Sequence, residues 1–254
     1  MKASISDTGR YLPRFFLFVL LFIGILCGMI FVSRFLSPPI RETLTEEVSD
    51  HSPSRPIVVI DAGHGGEDGG TVGVNGVYEK DLNLKIALLL DEWLRAEGFE
   101  TVLTRSEDIL LYDKNSDYLG QKKVQDLSAR RKIVEEQENA ILISIHMNAF
   151  PQAKYSGLQV YYSQNNPSSQ ALADEIQTRT RELLQPQNTR KIKSAGENIY
   201  LLDRLSCPAV LIECGFLSNP QECAKLSEEE YQKQLAFSIY LGIVNYFNTV
   251  SKNS

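Results

Sequence analysis

This 254-residue sequence predicts an α/β fold: one domain with a mostly parallel twisted sheet and helices on both faces. Two observations predict it. Residues 57–60 (Ile-Val-Val-Ile), 140–143 (Ala-Ile-Leu-Ile) and 209–212 (Ala-Val-Leu-Ile) are short, unbroken apolar runs, the composition of strands buried on both faces. Segments of helical period separate them, and strands alternating with helices give a parallel sheet.

Residues 57–60 form the first strand. A helix over 81–97 follows, with Leu82, Ile86, Leu89, Leu90, Trp93 and Leu94 on one face and Gly98 as its stop. Residues 100–104 are a second strand. A helix over 128–137 leads into a strand at 140–145, and residues 158–162 are another strand. The 168–184 stretch is amphipathic, with Leu172, Ile176 and Leu183 turned inward. The strand at 209–212 ends at Glu213. Ser227 and Glu230 have the spacing of a capping box that opens a last helix running to about Phe247. Residues 105–127 show no sustained period and read either as a lid or substrate wall, or as a disordered surface insertion.

The N-terminus has another character. Lys2, Arg10 and Arg14 precede an apolar run over 15–32, long enough to span a bilayer as a helix. We expect a cytoplasmic basic tail at 1–14, a transmembrane signal anchor at 15–36, a polar, proline-containing linker at 37–55 and the globular domain at 56–249. Three basic residues before the run against Arg34 and Arg41 after it favour a cytoplasmic N-terminus, with the domain on the extracytoplasmic side. The alternative is a cleaved signal peptide and a secreted domain. His51, in the linker, reads as a solvated bystander.

Residues 1–44 carry Lys2, Arg10, Arg14, Arg34 and Arg41 against Asp7 and Glu42, a net of +3; the whole chain is −6, so residues 45–254 carry −9. A net-acidic domain without a basic cluster argues against nucleic acid as its partner. Cys207, Cys214 and Cys223 match no zinc-ribbon or redox spacing and read as small buried residues, one disulfide remaining open.

The chemistry lies at strand ends. The chain has three histidines, and two stand at or just past the carboxyl ends of predicted strands, in Asp61-Ala62-Gly63-His64-Gly65-Gly66 and Ser144-Ile145-His146-Met147-Asn148-Ala149. Open α/β sheets place their ligands there. With acidic residues nearby, the pair points to a metal. A catalytic Zn2+ takes three protein ligands and leaves a position for water. Asp61, Glu67, Asp68 and Glu79 are candidates for the third. Glu79 is favoured because the first helix should begin beside the first strand's end; its other reading is an anion at a helix start. Glu213 ends a buried strand, where a carboxylate is costly unless paired or next to a cation. It reads as a general base, with a structural ion pair to an arginine as the alternative. Asn148 either binds substrate or closes a turn.

Together with Tyr78-Glu79-Lys80-Asp81, Leu103-Thr104-Arg105 and Ile212-Glu213-Cys214-Gly215-Phe216-Leu217-Ser218-Asn219, these motifs resemble the zinc-dependent N-acetylmuramoyl-L-alanine amidases over residues 56–247. The resemblance implies a zinc-exopeptidase-like fold, a Zn2+ held by His64, Glu79 and His146, Glu213 as the catalytic acid/base, and peptidoglycan stem peptides on muramic acid as substrate. Asp126-Leu-Ser-Ala-Arg-Arg-Lys-Ile-Val resembles the germination-specific amidases of spore formers, which strip peptides from cortex muramic acid before muramic-δ-lactam forms. A zinc peptidase of the same fold and a non-catalytic wall-binding module are the rival readings. The sequence does not specify an activating partner.

Overall fold

The computed structural model describes residues 55–113 and 121–253. The expected basic tail, anchor and most of the linker, with His51, lie outside the described residues. Among the described residues no helix is long and apolar enough to cross a membrane.

The chain runs β1 (Ile57–Ala62), α1 (Glu79–Ala96), β2 (Thr101–Leu103), α2 (Lys122–Glu135), β3 (Ala140–Asn148), β4 (Gln159–Tyr162), α3 (Ser168–Leu183), β5 (Lys193–Ser194), α4 (Tyr200–Arg204), β6 (Ala209–Phe216), α5 (Pro220–Leu226) and α6 (Glu229–Asn253). The strands form one six-stranded sheet in the order β2-β1-β3-β6-β4-β5. β2, β1, β3 and β6 are mutually parallel, as their apolar runs predict. β4 runs antiparallel to β6, and β5 follows β4, so the sheet is mixed.

Alternation along the strands feeds two cores. Val58, Ile60, Ile143, Ile145 and Ile212 pack with α1, α3 and α6. Val59, Leu142 and Leu211 face the other way, with Val134 of α2 and Leu201 and Leu202 of α4. The expected helices on both faces are present. Gly98, at φ 83°, ends α1, and Phe99 N–H returns to the Leu94 carbonyl, as a left-handed C-terminal glycine allows.

Several elements differ from expectation. Trp93 is exposed, meeting Phe237 of α6 edge to face and stacking on Tyr240, and Leu183 is exposed at the end of α3. α2 begins at Lys122, six residues before the predicted start, so 122–127 is not loop. Residues 105–113 are pinned: Asp108 accepts from Gly66 N–H at 2.7 Å and from Lys80 at 2.6 Å, and Asp126 accepts from Leu111 N–H at 2.8 Å. The capping box does not form. Ser227 instead closes α5, its hydroxyl donating to the Cys223 carbonyl. Cys207, Cys214 and Cys223 are free thiols, the last two buried.

Candidate metal centre

Three segments bring donor atoms to one point at the carboxyl ends of β1 and β3. His64 stands just past β1, Glu79 opens α1, and His146 lies near the end of β3. Their ligand atoms lie within 4.8 Å of one another. His64 Nε2 is 3.2 Å from Glu79 Oε1, and His146 Nδ1 is 3.0 Å from the same oxygen. The two rings meet edge to face at 74°, centroids 5.0 Å apart.

Glu79 is buried, and two backbone amides fix it: Met147 N–H to Oε1 at 3.1 Å and Thr71 N–H to Oε2 at 2.8 Å. Burial opposes its ionisation, yet hydrogen bonds and charge from His146 and His64 hold its carboxyl well below the usual carboxylate range. Because α1 starts two residues earlier than predicted, Glu79 also sits in the first helical turn, where the dipole favours an anion. Glu79 therefore both opens the helix and faces the two imidazoles.

The other carboxylates have other partners. Glu67 turns outward to Lys122 at 2.6 Å. Asp68 lies behind His64, Oδ2 2.9 Å from Nδ1 but out of line for a hydrogen bond. Burial works against protonation of His64, while Glu79 and then Asp68 raise its pKa above the ordinary value. Asp61 accepts from Arg130 at 2.6 Å, Ser144 at 2.6 Å and Thr104 at 2.8 Å. Burial alone would raise Asp61; Arg130 and the Ser144 hydroxyl bring it down to about 2.

Backbone shape explains the glycines and two unexpected arginines. His64 has φ 62°, a left-handed conformation that a non-glycine residue holds only under constraint. Arg130 supplies that constraint: Nη2 donates to the His64 carbonyl at 2.6 Å, Nη1 to the Ala62 carbonyl at 2.7 Å, and Nε to Asp126 at 2.8 Å. Arg105 grips the carbonyls of Ala62 at 2.8 Å and Gly63 at 3.1 Å. Neither arginine was singled out from the sequence as part of the site. The available signals were Leu103-Thr104-Arg105 and the i, i+4 pair Asp126/Arg130. A Cβ on Gly63 would lie 2.2 Å from His146 Cε1, so only glycine lets this loop cross the second imidazole.

Glu213 pairs in register with His146 across β3 and β6. Its Oε2 is buried and has no hydrogen-bond partner, so the ion pair to a loop arginine is not formed there. Burial pushes its pKa up to about 7; the imidazole of His146 pulls down and Glu79 pushes up. Such a carboxyl can exchange a proton near neutrality. Asn148 follows a register irregularity between β3 and β6, and its carbonyl accepts from Leu217 N–H at 2.8 Å. The structure thus gives its backbone, not its side chain, a partner. A cavity of about 210 Å³ opens here, lined by Gly63, His64, Asp68, His146, Tyr200 and Leu211 among others.

Two imidazoles and one carboxylate converging from rigid elements fit zinc, which binds nitrogen and single carboxylate oxygens. Calcium or magnesium would require a set richer in oxygen.

Comparison with known proteins agrees with this geometry. The N-acetylmuramoyl-L-alanine amidase family pattern matches residues 58–245. The chain is 39% identical over 191 residues to the germination-specific N-acetylmuramoyl-L-alanine amidase of Bacillus subtilis strain 168, covering 75% of this chain and 79% of the relative. Among solved structures, the CwlD amidase of Clostridioides difficile, determined in complex with the GerS lipoprotein, superimposes with a TM-score of 0.73. It is 38% identical, covering 77% of this chain and 100% of that one. The catalytic domain of CwlV, an N-acetylmuramoyl-L-alanine amidase from Bacillus (Paenibacillus) polymyxa var. colistinus, matches with a TM-score of 0.64 and 33% identity over 76% of this chain and 99% of that one. A motif set in the right order, a His-Glu-His cluster at the strand ends and these relatives lead to one conclusion: the chain belongs to the N-acetylmuramoyl-L-alanine amidase family.

Proposed function

We propose that this amidase is zinc-dependent, with His64, Glu79 and His146 as metal ligands and Glu213 as catalytic acid/base, and that it strips stem peptides from muramic acid in spore-cortex peptidoglycan. The observation that carries the site assignment is the convergence of both imidazoles on Glu79 Oε1, with Glu213 as the register neighbour of His146. The cortex role is supported by the germination-specific relative. A lipoprotein partner is a corollary, supported by the CwlD structure with its lipoprotein. The apolar run over 15–32 supports a membrane tether with the domain on the wall side. Asn148 is assigned to substrate contact on its strand-end position.

When bound, zinc supplies Lewis acidity at the scissile amide and acidifies water. Glu213 takes a proton from the attacking water and returns it to the departing L-alanine amine. Arg130 and Arg105 hold the backbone of the His64 loop in its left-handed shape, which sets the direction of the imidazole before any metal would bind.

Muropeptide analysis tests the function. The zinc-supplemented full chain should release peptides with free L-alanine amino termini and leave the glycan intact. L-Alanine retained on muramic acid would instead show a peptidase. His146→Ala tests the ligand set: it should lose stoichiometric zinc by elemental analysis, and retained zinc would refute the assignment.

A further inference from the structure

We propose that Arg190 is a specificity-determining residue that receives a carboxylate of the stem peptide, next to the residue whose amide is cut. The proposal rests on the assignment of Glu213 above and deepens it.

A cleft of about 520 Å³ separate from the metal cavity is lined by Lys154, Arg190 and Lys225, with Glu222 as its carboxylate. In a region carrying −9 over residues 45–254, such a run of cations is locally out of character. Glu222 does not neutralise them through an ion pair. Its Oε1 accepts from Gly157 N–H at 2.7 Å and its Oε2 from Phe216 N–H at 2.8 Å.

Arg190 is the cation held in place. Nε donates to the Ser156 carbonyl at 2.8 Å and Nη1 to Gln159 Oε1 at 3.0 Å. The guanidinium lies 4.4 Å over the Phe216 ring. These hydrogen-bond and ring partners are uncharged; Glu222 acts on Arg190 only through charge, without a direct ion pair, which leaves the guanidinium able to take a carboxylate.

Its position links it to catalysis. Gln159, which Arg190 contacts, is the register partner of Glu213. Tyr161, two residues along β4 and on the same sheet face, is raised by burial and by Glu213 and lowered by Arg190, so both charges border it. Gln159 is buried and bridges the Arg190 guanidinium to the strand pair that carries Glu213. In a stem peptide the residue after L-alanine is acidic and linked through its side chain, which leaves its α-carboxylate free for a cation.

The test uses N-acetylmuramoyl tripeptides whose second residue is either D-isoglutamate or its neutral amide, D-isoglutamine, with the full chain in detergent and added Zn2+. The wild type should favour the acid probe in kcat/KM by about tenfold, chiefly through KM, the size of one charge-assisted hydrogen-bond pair. Arg190→Gln should bring the two probes within about twofold of each other, and Arg190→Lys should keep part of the preference. If Arg190→Gln fails to fold, the intermediate preference of Arg190→Lys carries the test. Cleavage of both probes without a preference, or a preference unchanged in both variants, overturns the Arg190 assignment and leaves amide cleavage standing. No cleavage of either probe overturns the proposed catalytic reading and this assignment with it.

Discussion

Glu213→Gln is expected to lower kcat on peptidoglycan by about 10³-fold while the protein keeps its zinc. The size is that of a lost general acid/base, 10²–10⁴-fold, since the amide can neither take a proton from water nor return one to the leaving amine. Zinc is retained because Glu213 is outside the convergent donor set. Stability should not suffer. In the metal-free chain burial raises the Glu213 carboxyl to about 7, above its unfolded value, so its ionised form costs the fold free energy. That cost is absent below about pH 4 and grows as pH rises through 7. Removing the charge should therefore leave the unfolding midpoint at pH 8 in EDTA equal to or above that of the wild type. Activity within tenfold of wild type would remove Glu213 from the mechanism. A large fall in the midpoint would make its role structural.

The buried strands β1, β3 and β6, the helices α1 and α3, and the convergence of His64, Glu79 and His146 were legible because they obey local rules. Buried parallel strands are continuous apolar runs, and ligands follow strand ends. Illegible features arose where a polar group took a position that periodicity assigns to an apolar one. α2 begins early because its inward face carries Asp126, Arg130 and Val134, so the hydrophobic signal vanishes where the charged clamp forms. Asp61 read as a possible ligand because its partner, Arg130, is 69 residues away in sequence. Trp93 read as core because its face of α1 is apolar; the stack on α6 that leaves it exposed is a tertiary fact. α5 did carry a local signal, since Asn219 caps it and Pro220 opens it, but the segment is too short for periodicity to expose.

Arg130→Met is expected to destabilise the fold by about 3–5 kcal/mol, much of the 5–15 kcal/mol that holds a domain together. The side chain is buried and its guanidinium serves Asp61, Asp126 and the carbonyls of Ala62 and His64 at once. Methionine fills similar space but leaves Asp61 as a buried anion whose remaining hydrogen-bond donors are the hydroxyls of Ser144 and Thr104, with Arg105 acting on it only through charge. The pH dependence identifies that stranded charge. In the wild type Asp61 titrates at about 2, below an unfolded value of about 3.9. Its stabilisation is therefore complete above pH 4 and is lost only as pH falls towards 2. Without Arg130 its folded pKa moves above the unfolded one and the sign reverses: the penalty is relieved as pH falls. Urea denaturation in EDTA should show Arg130→Met gaining stability relative to wild type between pH 7 and pH 5. Adding Asp61→Asn should recover part of the loss at pH 7. Because Arg130 also restrains the carbonyl of His64, zinc affinity should fall in the variant even at temperatures where it remains folded. A loss under about 1 kcal/mol, or one independent of pH with zinc affinity intact, would show that the left-handed turn at His64 is held by Arg105 and the glycines alone.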